Sequence, residues 1–438
     1  MSLRETSRQI FRDILDRLQI PTVMRRQIHY DGSHLHMCGR IYAMDGFRHV
    51  TIVSAGKAAV PMAASLLDIL APHITPEQTL DGIVVGAART EQYELRSFLG
   101  GHPIPTEQSF LAAAAVLEYL SNSDSETLVF FLISGGASTM LEQPLDSATT
   151  LADTAAFHQV LVHSGLRIQE MNTLRKHFSA VKGGRLAVAA ANATKCTLLV
   201  SDVPEGALDV IGSGPTLPDP STVADCHAIL REHREVLPFS DRLMQFFTSA
   251  LPETPKADHP AFLRASAFAL LSSNDLCAEA ARLAEQAGFY VVVDNSCDDW
   301  NYETASEYLL QRIATLRQTH KKVCLLSVGE ISVKVDHGEG IGGRNQHFVL
   351  ECAARIAESG QRVTVLSAGS DGIDGNSRAA GGVADETTVK RAEDMGWSVS
   401  SALKRFDSHT LLEALGDTLT TGPTGNNVRD LRMFLSES

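Results

Sequence analysis

Eight short apolar or β-branched runs punctuate the chain, and almost every one ends in a small or acidic residue before a longer helical pattern begins. "HVTIVSAG" runs into "KAAVPMAASLLDIL". "TLVFFLISGGAS" is nearly continuous in its apolarity, as a strand buried on both faces of a parallel sheet requires. "DGIVVGA", "KCTLLVSDV", "AFALLSSND", "FYVVVD", "KVCLLSVGE" and "RVTVLSAGSDG" repeat the pattern. Strands alternating with helices in this way predict an α/β fold around a largely parallel sheet. In such sheets ligands sit beyond the carboxyl ends of the strands, so those ends carry the functional reading.

A chain of 438 residues predicts two domains, and the Pro-containing stretch "LPETPKADHPAF", 251–262, is the expected boundary. The opening "LRETSRQIFRDILDRLQI" has the periodicity of an amphipathic helix, not the apolar core of a signal peptide. No run reaches the roughly 20 apolar residues of a membrane span. A net charge of −14 disfavours nucleic-acid and anionic-membrane partners, so an anionic small molecule has to be caught by local cations. Seven scattered cysteines without metal spacing fit a reduced, cytoplasmic protein.

Several strand ends offer such cations and free N–H groups. Gly56 lets the backbone turn and sets Lys57 at the mouth of a helix, where an anion is favoured. Ser134, Gly135, Gly136 and Ser138 lie in a turn that can form an anion-binding nest. "NTLRKHFSAVKGGRLA" crowds Arg175, Lys176, His177, Lys182 and Arg185 together; helical spacing puts Arg175, Ser179 and Lys182 on one face. Asp202 follows a strand and is suited to accept a hydroxyl proton, to hold magnesium, or to make an Asx turn into Pro204.

"GEGIGGRNQHF", 338–348, is neither a dinucleotide fingerprint nor a Walker loop. Its Gly340, Gly342 and Gly343 precede a predicted helix start at Arg344, Asn345 and Gln346, chemically suited to oxyanions. Asp371 and Asp374 mark another strand end, and Thr424 and Asn426 lie in a late polar turn.

Taken in order, "GKAA", "GHPIPTEQS", "LISGGAS", "LRKHFSAVKGGRLA", "SDVP", "GSGPTLPDPST", "GEGIGGRNQ", "SDGIDG" and "TGPTGNNVRDL" resemble the glycerate 2-kinase family, whose C-terminal domain is named for its MOFRL motif. The resemblance runs from about residue 8 to residue 435. It implies a Rossmann-like α/β/α domain over 1–250, a connecting α/β segment over 251–320 and a MOFRL domain over 321–438, with the active site in a cleft between domains. It also implies transfer of the γ-phosphoryl of ATP, with magnesium, to the 2-hydroxyl of D-glycerate. Members have been named hydroxypyruvate reductases as well, and a non-catalytic organic-acid binder is the third alternative.

On that resemblance Lys57 serves the phosphoryl in flight and Asp202 is the base. Arg344 with the glycine amides takes phosphates or the glycerate carboxylate, and Asp371, with Asp374, holds magnesium. The roles of Asp202 and Asp371 are exchangeable, and pairing of two copies as a homodimer stays open. The chain departs from the family in "EGALD", where an acidic pair close to "GDD" is usual, so that Glu205 and Asp209 stand in. It departs also in "LSVGE" for Gly-Gly-Glu and in "TGNNVRD" for Thr-Asn-Val-Asn.

Overall fold

The computed structural model describes residues 2–90, 95–201, 203, 207–249, 251–335 and 340–437. Their contacts divide the chain into two compact units, Ile20–Leu270 and Met1–Gln19 with Leu271–Ser438.

In the first unit the six-stranded sheet runs Arg96–Leu99, Thr79–Gly86, His49–Ala55, Thr127–Ile133, Thr194–Val200, Ala265–Leu271 from edge to edge. The first five of these pair in parallel. Numbered by chain position within the sheet, the order is 3-2-1-4-5-6, that of a doubly wound Rossmann sheet. Thr127–Ile133 is buried at every residue, as its apolar run predicts. The order reverses between His49–Ala55 and Thr127–Ile133, so the turns after Ala55 and Ile133 flank the switch point where such folds bind ligands. A small antiparallel sheet, Ile28–Tyr30, His34–Met37 and Arg40–Ala43, belongs to the same unit.

Phenylalanines 157, 178, 239, 246 and 247 build a separate cluster under the helices Leu151–His163 and Ile168–Phe178. The proline stretch packs onto this unit as well: Thr254 is buried and its hydroxyl donates to Asp219 at 2.9 Å. Residues 251–270 accordingly group with 20–250, and the unit ends within the strand Ala265–Leu271.

The second unit holds a mixed sheet ordered Tyr290–Val293, Lys322–Gly329, Asp430–Glu437, Thr364–Gly369, Gly381–Ala384, Thr418–Leu419. Asp430–Glu437 is antiparallel to both neighbours, with Asp430 opposite Gly329 on one side and Gly369 on the other. The predicted N-terminal helix forms over Leu3–Arg17, opened by a Ser2/Glu5 capping box. It packs in this unit, not with residues 20–250, because Arg4 is paired with Asp385 and Asp417, while Asn426 donates to the Leu18 carbonyl at 2.8 Å.

Candidate active site

At the switch point of the doubly wound sheet two turns are laced together. Lys57 N–H donates to the Gly135 carbonyl at 2.9 Å, and Ala58 N–H to the Ser134 hydroxyl at 3.0 Å. Gly56 has φ +120°, and a Cβ there would lie 2.3 Å from Ser134 Oγ, so only glycine lets the turns meet. Ser134, expected to bind ligand, is buried and serves this lacing.

The Lys57 side chain leaves the turn into solvent. It lies on one side of Gly136, whose φ is +85°, with the His102 ring close by: a Cβ on Gly136 would be 3.4 Å from both Lys57 Cγ and His102 Nδ1. His102 Nδ1 and Thr139 Oγ1 are 3.2 Å apart. Partial burial, then the Lys57 cation, push the imidazole below its ordinary pKa, so it stays neutral next to the lysine. His102 was missed as a site residue from the sequence; the motif "GHPIPTEQS" was its only signal. Ser138 sits half-buried in the short helix Ala137–Met140.

The basic stretch resolves differently from its expectation. The helix Ile168–Phe178 stops before Ser179, so Arg175, Ser179 and Lys182 do not share a helical face. They converge instead on Glu142, which is fully buried. Lys182 Nζ pairs with Glu142 Oε2, His158 Nε2 meets the same oxygen at 2.7 Å, and Ser179 Oγ donates to Oε1 at 2.6 Å. Burial pushes the Glu142 carboxyl up, but Lys182 and His158 together hold it below its usual range. Lys182 is therefore a core ion-pair residue, because a buried ammonium needs its counterion.

Lys176 binds Asp209 at 2.7 Å and Asp219 at 3.1 Å, which commits Asp209 to an ion pair. Arg175 is almost fully buried near Glu142, and Arg185 lies near Asp219. Buried Nε atoms of both have no hydrogen-bond partner among the described residues. Asp202 and Glu205 lie outside the described residues.

In the second unit the glycine loop opens a helix, Arg344–Ser359, as predicted. The side chains do not form the expected oxyanion cradle. Arg344 Nε and Nη2 donate to Asp430 at 2.5 and 3.2 Å, and Nη1 and Nη2 to Glu330 at 2.8 Å each. Of the five guanidinium N–H donors, four are thereby used within the protein. The two carboxylates keep Arg344 more firmly protonated than usual despite its burial.

Asp374 caps the helix, accepting from Asn345 N–H at 3.0 Å, from Gln346 N–H at 2.9 Å, and from both side-chain amides. Burial, with Asp430 adding repulsion, pushes its carboxyl up to about 6. That commitment takes Asp374, Asn345 and Gln346 out of the ligand roles expected of them. Gly343 is required by the same cap, since a Cβ would sit 2.3 Å from Asp374 Oδ1; the loop packs equally tightly at Gly340 and Gly342, against Phe406 and Ser408.

Thr424 donates its hydroxyl to the Ser370 carbonyl at 2.7 Å, and Asn426 reaches Leu18, so both hold their turn in place. Asp371 accepts from Ile373 N–H at 3.1 Å, and a Cβ on Gly369 would lie 3.0 Å from Asp371 Oδ1 and 3.3 Å from Asp430 Oδ1. Among the described residues no three His, Cys, Asp or Glu side chains are grouped to hold a metal ion. The unit contains a cavity of about 590 Å3, lined in part by Glu330, Gly340, Arg344, His347 and Phe406.

A doubly wound sheet with a lysine at its switch point, in one chain with a mixed-sheet unit that carries a polar cavity, is the build of an α/β enzyme for small anionic substrates. Comparison with known proteins narrows the class. A model described as "Domain of unknown function (DUF4147)" matches residues 6–248, and one described as "MOFRL family" matches residues 323–430. D-glycerate 2-kinase of Thermotoga maritima is 34% identical over 389 residues, 87% of this chain and 89% of that protein. A relative in Agrobacterium vitis that carries a hydroxypyruvate reductase name is 35% identical over 397 residues, 88% of this chain and 86% of its own. The crystal structure of glycerate kinase from Thermotoga maritima superposes with a TM-score of 0.84 at 30% identity, over 99% of each chain. The chain belongs to the glycerate 2-kinase family.

Proposed function

We propose that the protein transfers the γ-phosphoryl group of ATP to the 2-hydroxyl of D-glycerate, giving 2-phospho-D-glycerate and ADP. The observation that carries this reading is the Lys57 turn at the switch point of the doubly wound sheet, in a chain 34% identical to a D-glycerate 2-kinase.

Phosphoryl transfer asks for positioning and charge neutralisation more than for covalent chemistry. Lys57, exposed on a turn whose backbone is fixed by Gly135 and Ser134, supplies a cation to the transferring group. His102, neutral and close to it across Gly136, adds an uncharged hydrogen-bonding group. Asp202 is proposed as the base for the substrate hydroxyl. Arg344, clamped by Glu330 and Asp430, presents one remaining N–H from a fixed plane.

Magnesium fits this chain only as an ion carried on nucleotide phosphates and touched by one or two carboxylates, the usual manner for this metal. Asp371, near Asp430, is the residue proposed to touch it. When bound, the ion neutralises charge on the β- and γ-phosphates.

The Rossmann order and the Agrobacterium relative favour a second reading, a reductase acting on hydroxypyruvate. Against it, the turn after the first sheet strand reads "GKAAV" where a dinucleotide fingerprint needs G-x-G-x-x-G. Incubation with D-glycerate, ATP and magnesium decides between them: ADP and 2-phosphoglycerate are expected, whereas hydroxypyruvate-dependent NADH oxidation without ATP turnover overturns the kinase reading. No helix among the described residues is long and apolar enough to cross a membrane. With all seven cysteines unpaired, a cytoplasmic location is proposed.

A further inference from the structure

The cavity of about 590 Å3 in the second unit is more than a three-carbon acid can fill, and its volume falls within the 300–1,000 Å3 usual for cofactor-sized ligands. The lining includes the apolar residues Ile331, Val333, Val335 and Phe406. Asp299 and Glu330 add carboxylates to the lining, and the Arg344 guanidinium is already neutralised by Glu330 and Asp430. Carboxylates in such a lining accept hydroxyl and amino donors.

His347 adds an independent observation. It stands in the first turn of the helix Arg344–Ser359 and lines the cavity, yet it is only 2% exposed. Its Nε2 is buried without a hydrogen-bond partner among the described residues. The ring is stacked on Phe406, with centroids 5.2 Å apart and planes 22° apart, and meets the Tyr302 edge at 4.6 Å. Leaving a buried ring nitrogen unpaired destabilises the fold, a cost that a ligand supplying the missing partner removes.

We propose that this cavity receives the nucleoside portion of the phosphoryl donor, its purine against the apolar lining residues with an edge on His347 Nε2 and its ribose hydroxyls on Asp299 and Glu330. The proposal rests on the kinase reading for the identity of the ligand and deepens it by assigning the nucleotide to this unit.

The test uses the full chain, with adenosine, ADP and D-glycerate titrated by calorimetry into the wild type, His347→Leu and Asp299→Asn. Asp299 is exposed, so its variant folds even if the His347 variant does not, and melting curves establish that each is native. Adenosine alone is expected to bind the wild type. Each substitution should weaken ADP about tenfold, the effect of one lost hydrogen bond, and raise the KM for ATP while leaving the KM for D-glycerate unchanged. Unaltered ADP affinity in both variants overturns the proposal, as does a rise confined to the glycerate KM. Calorimetry needs no turnover, so the two readings fail separately. Turnover with nucleotide affinity intact in both variants sinks the cavity assignment alone. Nucleotide binding lost in the variants of a protein that does not phosphorylate glycerate sinks the kinase reading alone.

Discussion

Arg344 grips Asp430 through two parallel bonds, Nε to Oδ2 at 2.5 Å and Nη2 to Oδ1 at 3.2 Å, across 86 residues of chain. The pair ties a helix start to the first residue of a central strand, and Glu330 completes the clamp from just beyond the end of the adjoining strand Lys322–Gly329. Lysine has one point of attachment and cannot hold two carboxylates in a plane.

Arg344→Lys should therefore behave like Arg344→Ala in activity, and both should lose stability. Asp430 is buried, with 4% of its side chain exposed, and without the guanidinium it faces Glu330 uncompensated. A loss of about 1–3 kcal/mol is expected, kept below the fully buried case by the partial exposure of Arg344. Denaturant melts and kcat of the two variants provide the check, and native stability in Arg344→Lys would show that a single charge suffices.

Lys57→Ala should leave the melting temperature unchanged, since the side chain is exposed and the turn is held by backbone bonds. Its kcat should drop by about 10² to 10³ with little change in KM, the mark of a donor acting mainly in the transition state. Steady-state kinetics with D-glycerate and ATP measure both constants.

Glu142 and Lys182 make the opposite pattern. Lys182→Met strands a fully buried carboxylate and should cost about 3–5 kcal/mol, whereas Lys182→Met combined with Glu142→Leu should recover part of that loss. Equilibrium unfolding of the single and double variants tests it. A single variant as stable as the wild type would mean the pair is not the core contact described.

Acid should loosen the second unit through His347. Burial depresses its pKa to about 4, against about 6.5 in an unfolded chain, so between those values the unfolded chain takes up a proton that the folded one refuses. The stability it contributes is full above about 6.5 and is lost as pH falls toward 4, at most roughly 3 kcal/mol. Asp374 works in reverse: raised to about 6, it favours the fold at low pH and withdraws that contribution as pH rises through 6. Melting temperatures from pH 7 to pH 5 should fall less steeply in His347→Leu than in the wild type.

Much of the architecture was legible, because a strand buried on both faces must be apolar throughout and a parallel sheet must place its functional turns at strand ends. Thr127–Ile133 and the Lys57 turn were readable for that reason. The partners of the charged residues were not. Lys182 and Glu142 are 40 residues apart, and nothing in "FSAVKGG" reveals that the helix ends at Phe178 or that a counterion waits in the core. Arg344 gave the same difficulty: Glu330 and Asp430 come together only because Gly329 lies opposite Asp430 in the antiparallel register. Glycines that suggested an exposed cradle proved to mark close packing, since bare backbone serves either purpose.

The strand Asp430–Glu437 lies in the middle of its sheet, between two partners, Lys322–Gly329 and Thr364–Gly369, that both precede it in the chain. During synthesis the residues of the Ile20–Leu270 unit are all available to fold long before this strand leaves the ribosome. The other sheet has to wait with a gap at its centre, its early helix Leu3–Arg17 also lacking a finished partner. Asp430, the residue that sets Arg344, arrives with the strand that closes the gap. An interrupted translation product therefore carries no assembled Arg344 clamp.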